Sequence, residues 1–231
     1  MARIVKEREV RRNEILDVAE RLVYTKGYEQ MAIQDILNEL QIAKGTVYHY
    51  FDSKLALLEA LIARMMDEIE QQLLPIAHDP KLLALEKFQR FFATLNRYRA
   101  EQKPFLLELL RVWYTDGNTL VRQKTRATQV KRVKPLLTVI IRQGVQEGVL
   151  TTPYPDQVGE VILSLQQGLE ETMAGLLLLD EPKREDLQQI ESTIAVYVDA
   201  LERILGAPGD SLHPINPAML KEWAISRRDN A

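Results

Sequence analysis

Apolar residues recur at spacings of three and four along nearly the whole chain, and no stretch alternates with period two over a convincing length. One face of a helix collects residues at that spacing, so the pattern predicts helices throughout. Ile15, Ala19, Leu22 and Val23 put one apolar stripe on a first helix, which Gly27 would end as a C-terminal glycine. Ile33, Ile36, Leu37 and Leu40 make a short second helix, and a connection through Gln41 and Ile42 leads to a third from Lys44 to Tyr50. Asp52 or Ser53 can cap a fourth, which runs from Lys54 through Leu57, Leu58, Leu61 and Met65 toward Leu74. Pro75 to Pro80 reads as the first break. Longer segments are expected at about 81–101, 104–115, 118–147, 155–179 and 183–205, separated by Pro104, Gly117 with Asn118, Pro153 with Pro155, and Pro182. Pro135 falls inside the third of these and predicts a kink or a break. Beyond Gly206 come Pro208, Pro214 and Pro217, with room for a short helix from Ala218 to Arg227. The predicted class is all-α: a small three-helix head over residues 1–54, a larger helical domain over 55–206 and a tail over 207–231.

Composition narrows this picture. With 231 residues, 46% hydrophobic and 27% charged, the chain can build a sizeable core and does not have the make-up of a disordered protein. Cysteine is absent, which removes disulfides, thiolate nucleophiles and Cys-type zinc sites and points to the cytoplasm. The opening stretch MARIVKEREVRRNE lacks the apolar run of a secretory signal. Val161 to Leu169 and Thr172 to Leu179 are apolar, but Glu170 and Glu171 divide them and neither approaches the roughly 20 residues of a membrane span, so no membrane partner is expected. His49, His78 and His213 have no ligand-spaced neighbours, and there is no glycine-rich phosphate loop or nucleophile elbow. No metal, no cofactor and no catalysis are expected.

A formal net charge of −3 argues against a nucleic-acid partner on its face. Local patches differ from the total. Residues 1–12 hold five Lys/Arg against two Glu, and residues 41–51 hold Lys44 and no acid. The second and third helices, short and joined by a tight turn, form a helix-turn-helix arrangement, and a helix of that kind fits the DNA major groove. Gly45, poor for a helix, gains a reason if the helix N-terminus approaches a duplex closely. Lys44 can reach a guanine edge or a phosphate, Thr46 offers a hydroxyl or a methyl, and Tyr48, His49 and Lys54 have the reach and donors for phosphate oxygens.

RRNEILDVAERLVYTKGYE, the spacing to Ile33 and Ile36, and AKGTVYHYFDSKLALLEAL together resemble the TetR/AcrR family of transcriptional regulators, over roughly residues 11–62. The resemblance implies that Lys44, Gly45, Thr46, Tyr48 and His49 belong to the recognition helix. Val47, Tyr50 and Phe51 would serve mostly in packing, and Lys54 would contact phosphate. The chain departs from the family pattern where Met31, Ala32 and Ala43 replace small hydroxyl residues, which shifts weight in the DNA footprint to Gln34, Tyr48 and Lys54. Arg3, Lys6, Arg8, Arg11 and Arg12 read equally as an arm along the minor groove or as a solvated charged end.

A single helix-turn-helix on a symmetric site implies a homodimer. Val158, Ile162, Leu165, Leu169, Met173 and Leu176 form one stripe, and Leu187, Ile190, Ile194, Val198, Leu201 and Leu205 another. Either both bury within their own subunit, or they build a four-helix bundle between subunits, with Ile162, Leu165, Leu169, Met173, Ile194, Val198 and Leu201 facing the partner and Gly168 and Gly175 permitting close approach. The resemblance places dimer helices here and a small effector among Phe88, Phe91, Phe92, Tyr98, Phe105, Leu109, Trp113 and Tyr114, where an aromatic stripe otherwise reads as core. Glu108, Gln166, Gln167 and Glu170 are the candidate polar anchors. The run 117–146 has seven Lys/Arg and no acid, either as a solvated face pairing with Glu170 and Glu171 or as a port for an anionic effector. The resulting expectation is a ligand-responsive regulator, most simply a repressor, that binds a palindromic double-stranded DNA operator and takes a small apolar or amphipathic effector. The alternative is a DNA-bound adaptor whose larger domain binds another protein.

Overall fold

The computed structural model describes residues 2–114, 119–177, 183–215 and 218, and all regular structure among them is helical. The elements are α1 (Ala2–Lys26), α2 (Ile33–Leu40), α3 (Lys44–Tyr50), α4 (Lys54–His78), α5 (Ala84–Glu101), α6 (Lys103–Trp113), α7 (Thr119–Gln146), α8 (Val158–Leu177) and α9 (Arg184–Leu205). The short helix expected from Ala218 to Arg227 lies, apart from Ala218, outside the described residues.

Two boundaries differ from the sequence reading, each for a local reason. α1 starts at Ala2, well before its apolar stripe, because RIVKEREVRRNE contains good helix formers and no Gly or Pro, and Arg11 pairs with Glu14 one turn on at 2.6 Å. The basic N-terminal stretch is therefore the start of a helix and not an extended arm. α4 continues through Pro75 and α7 through Pro135. Both prolines are exposed, as are Gln71 and Lys131 four residues earlier, so the carbonyls that lose a partner can turn to water. The first break falls after His78, where the Lys81 amide donates to Asp79 Oδ1 at 2.9 Å and buried Lys87 donates from Nζ to Ala77 O at 3.0 Å, capping the last turn of α4.

The chain forms two compact units, divided within α4 and α7: one comprises residues up to Asp67 together with Pro104–Thr125, the other Glu68–Lys103 and Arg126 onward. Residues 1–54 and 55–206 are thus not the compact bodies, since α6 groups with α1 to α3. In the first unit Ile15, Leu16, Ala19, Met31, Ile36, Val47, Phe51, Leu57, Leu58, Phe105 and Leu109 are buried. Arg64 ties α4 to α1 through Asp17 at 2.5 Å and through Glu20. In the second unit α8 packs on α9, and Phe88, Phe91, Leu137, Ile140, Ile162, Ile194 and Leu201 are buried. Gly206 takes the left-handed conformation (φ 61°) beyond α9, and the amides of Thr151 and Thr152 donate to Leu205 O. The segment after it is held too: the amides of Ser211 and Leu212 donate to Glu202 Oε1 at 2.9 and 3.1 Å, and Leu212 is fully buried.

Candidate nucleic-acid interface

The seven residues of α3 divide by face. Val47 is fully buried and Phe51 just beyond the helix nearly so, anchoring α3 in the core of its unit. Lys44, Gly45, Tyr48 and His49, at relative positions 0, 1, 4 and 5, are all exposed, with Tyr48 41% accessible despite its aromatic ring. Lys44 Nζ lies 5.6 Å from the Tyr48 ring centroid, so the two side chains stand together on this face. Gly45 has ordinary helical geometry, and a Cβ built there meets nothing within 4 Å. Nothing among the described residues requires a glycine at that position. Thr46 is half-buried, and Gln34, exposed on α2, donates from Nε2 to Asn38 Oδ1 at 2.8 Å.

Lys54 is placed differently from a free phosphate-seeking lysine. Its ammonium lies 4.4 Å from the Tyr28 ring centroid and donates to Glu29 O at 3.1 Å, and partial burial pushes its pKa below the ordinary lysine value. Of its three N–H groups, one goes to the carbonyl and the ring face takes the charge, so any phosphate contact shares the ammonium with the head's own packing.

The missing hydroxyls at the helix starts have distinct consequences. Met31 is buried and fills core. Ala32, as the residue capping α2, has no side-chain acceptor, and Asp35 supplies the reciprocal contact by accepting from the Ala32 amide at 2.9 Å while pairing with Lys26 at 3.0 Å. The amide hydrogen bond and the Lys26 contact hold the Asp35 carboxyl below the usual carboxylate range. Its stabilising contribution is present at neutral pH and is lost as pH falls through the depressed value. Asp35→Asn should therefore melt below the parent at about pH 7, and the gap should narrow as pH falls below the usual carboxylate range. A gap of equal size at neutral and at acid pH in calorimetric melts would refute this role. Ala43 gives α3 no side-chain cap at all.

The expected effector residues fall in both units. Phe88 and Phe92, with ring centroids 4.6 Å apart, and Gln166 and Glu170 lie in the second. Phe105, Glu108, Leu109 and Trp113 lie in the first, with the helix-turn-helix. Phe105 packs beside Tyr24 at 6.1 Å between centroids, and Leu109 is buried. Glu108 accepts from the Tyr28 amide at 3.3 Å and pairs with Arg111, so it ties α6 to the turn after α1. That turn favours Gly27 because φ is 80°, and a Cβ there, 2.8 Å from Glu108 Oε2, would also push the carboxylate aside. Only the contact across 80 residues of sequence shows this role, and the lone Glu in PFLLELLRVWY carries no local sign of it.

Most of the basic run is engaged within its own unit. Lys124 pairs with Glu59, Arg132 with Glu70, Lys134 with Glu160 and Arg142 with Asp156, Arg126 donates to Leu163 O, and Arg122 lies over the Tyr114 ring. An open cationic port for an anionic effector is not formed by these residues. Glu170 pairs instead with Arg99 at 3.5 Å, and Glu171 accepts from Gln167.

The stripes expected to face a partner are largely consumed by the protomer. Ile162, Leu169, Met173, Ile194 and Leu201 are buried where α8 and α9 pack together, and Leu165 and Val198 are half-buried. Periodicity marked the buried face correctly but not what covers it. The free faces carry Val161, Ser164, Gly168, Thr172 and Gly175 on α8, and Ala195, Val196 and Asp199 on α9. Val161 and Val196 are 47% and 70% exposed, and a Cβ at Gly168 or Gly175 meets nothing within 4 Å. Among the described residues no helix is long and apolar enough to cross a membrane.

The family described as "Bacterial regulatory proteins, tetR family" matches residues 15–61, and that described as "Tetracyclin repressor-like, C-terminal domain" matches residues 111–174. The HTH-type transcriptional repressor KstR of Rhodococcus jostii is 26% identical over 64% of this chain and 64% of its own length. The repressor DhaR of a Mycobacterium species is 22% identical over 79% of this chain and 89% of its own. The matches to the first three curated relatives span only 22%, 64% and 29% of their lengths. Among solved structures, the TetR-family regulator PfmR from Thermus thermophilus is 26% identical with a TM-score of 0.50, covering 84% of this chain and 97% of that one. A TetR-family regulator from Pectobacterium atrosepticum shares the fold at 19% identity and a TM-score of 0.59, covering 87% and 94%.

Proposed function

The chain belongs to the TetR family of bacterial transcriptional regulators, and we propose that it acts as a cytoplasmic homodimeric repressor, released from a palindromic operator by a small molecule. Proteins of this family, including the relatives above, regulate transcription and are not enzymes. The observation that carries the reading is the outer face of α3, where Lys44, Gly45, Tyr48 and His49 stand free on a helix whose other face is locked into the core. Such a helix can enter the major groove, Lys44 and His49 can donate to base edges or phosphates, and Gly45 lets the backbone approach.

Gly45 makes the reading testable because its two effects oppose each other. With open space around it, Gly45→Ala should raise the melting temperature, since alanine is the better helix former by up to about 1 kcal/mol, less in the first turn where Gly45 sits. The same methyl should weaken operator binding at least tenfold. A variant that is stabler and binds DNA unchanged would remove the close approach, and with it the main support for this face.

A two-fold-symmetric operator calls for two α3 elements about 34 Å apart, one in each of two copies of the chain. The small and apolar free faces of α8 and α9 suit packing of one copy on the other: Gly168 and Gly175 admit a neighbouring helix, and Val161 and Val196 supply apolar contact. Release requires an effector that favours one spacing of the two heads over the other. α4 is the natural carrier, because one unbroken helix contributes Lys54–Asp67 to the first unit and Glu68–His78 to the second. A coupling of about 1–3 kcal/mol, or roughly 5- to 150-fold in DNA affinity, is enough to induce a gene.

A further inference from the structure

Three helices of the second unit bring a polar cluster into an otherwise apolar interior. Arg99 from α5 contacts Glu170 from α8 at 3.5 Å, and Gln166, itself buried, donates from Nε2 to the same Glu170 oxygen at 2.8 Å. Tyr197 from α9 is 6% exposed, and its hydroxyl has no hydrogen-bond partner among the described residues. Asn96, one turn before Arg99, donates to Pro214 O, and its buried Oδ1 has no partner among them either. On α5 the residues Phe88, Phe92, Asn96 and Arg99 follow at spacings of four, four and three, so one face passes from aromatic to polar.

A buried hydroxyl without a partner costs about 1–3 kcal/mol, so folding alone gives no reason to keep Tyr197 in place of phenylalanine. Burial pushes the Tyr197 pKa up to about 12, against the opposing pull of Arg99, so the group stays a protonated donor. Within electrostatic reach of it is the Arg99 guanidinium, whose five N–H groups have one long carboxylate contact within the cluster. Donors outnumber acceptors here. An amine could reach Glu170 and Asn96 Oδ1 but would meet the like charge of Arg99, whereas a carbonyl or carboxylate oxygen would be drawn to Tyr197 O–H and Arg99 alike. Glu170, whose side chain is 43% exposed, can swing to water as such a ligand arrives.

We propose that Arg99, Tyr197, Gln166 and Glu170 form the polar end of an effector site that takes the carbonyl or carboxylate oxygen of an otherwise apolar small molecule. This rests on the effector-responsive reading above and names the chemistry of its ligand. The aromatic face of α5 beginning at Phe88 and Phe92 receives the apolar body.

The test uses the full-length dimer with 3-phenylpropionate, its methyl ester and propylbenzene as probes, read by calorimetric titration and by melting shift. The expected result is binding of the acid and the ester at least tenfold tighter than the hydrocarbon. Tyr197→Phe should remove about tenfold from both oxygen-bearing probes while its ligand-free melting temperature stays level or rises. Arg99→Met should weaken the acid more than the ester if the oxyanion is the preferred form, and both equally if the neutral carbonyl is. Binding of propylbenzene as tight as that of the ester would overturn the assignment, as would no binding of any probe. So would a ligand-free Tyr197→Phe protein that melts several degrees lower, because the hydroxyl would then be holding the fold. Operator binding measured alongside separates the two levels: DNA bound with no probe bound sinks this assignment alone, and probes bound with no specific DNA binding sinks the regulator reading alone.

Discussion

Replacing Lys44 and Tyr48 together by alanine is expected to erase sequence-specific DNA binding while leaving the fold intact. Both side chains are exposed on the outer face of α3, away from buried Val47, and they stand against each other with the ammonium 5.6 Å from the ring centroid. A base or phosphate contact is worth about 1–3 kcal/mol. Two residues in each of two protomers make four such contacts, so the total loss is roughly 4–12 kcal/mol if they add. That matches the whole advantage of specific over non-specific sites, about 4–10 kcal/mol. The affinity that remains should be that for random DNA, with a shallower salt dependence because two lysines have left the complex. Fluorescence anisotropy across a salt series reads the loss, and circular-dichroism melts show that the head still folds. Val47→Ala provides the contrast: this buried residue should lower the melting temperature and leave the binding surface chemically unchanged. Retention of specific binding by the double variant would mean that another surface reads DNA.

The second large effect concerns assembly. Val161→Asp with Val196→Asp should yield a folded monomer that no longer binds the operator, whereas Leu201→Asp should unfold the protomer. Val161 and Val196 lie on the free faces of α8 and α9, where a carboxylate is solvated in the monomer and stranded in a dimer. A stranded charge costs about 3–5 kcal/mol, and the two-fold axis repeats every substitution. Even one such pair would cost about 6 kcal/mol, roughly four powers of ten in dimer affinity. Leu201 is fully buried between the protomer's own elements, so a charge there damages the monomer first. Analytical ultracentrifugation of the three proteins decides between them. A double-Asp variant that sediments as the parent does would place the dimer surface elsewhere.

Much of this was readable from residue patterns, and what escaped has a common cause. The bounds of α2 and α3 and the role of Gly27 followed from spacing and helix-ending chemistry, which act within a few residues. Pro75 misled because a proline's damage depends on whether the orphaned carbonyl faces water, which sequence does not state, and for the same reason Pro135 does not break α7. Lys54 and Glu108 were read for their chemistry alone. Their partners, Glu29 O with the Tyr28 ring and the Tyr28 amide, lie 25 or more residues away, beyond any local pattern. The stripes on α8 and α9 show the same limit. A period of three and four reports that a face is covered, and only the folded chain shows that the cover comes from the same protomer. Tyr197 carried no mark at all in sequence, since a tyrosine on a helix face is ordinary until its hydroxyl is found without a partner.

The most direct test of the regulator assignment is selection of binding sites by the purified full-length protein from a pool of random duplex DNA, followed by mass determination of the complex on the enriched site. The expected result is a two-fold-symmetric motif whose half-sites lie about one helical turn apart, or a multiple of it, with a whole number of dimers bound. Recovery of no motif, or of a lone asymmetric half-site held by a single protomer, would contradict the assignment.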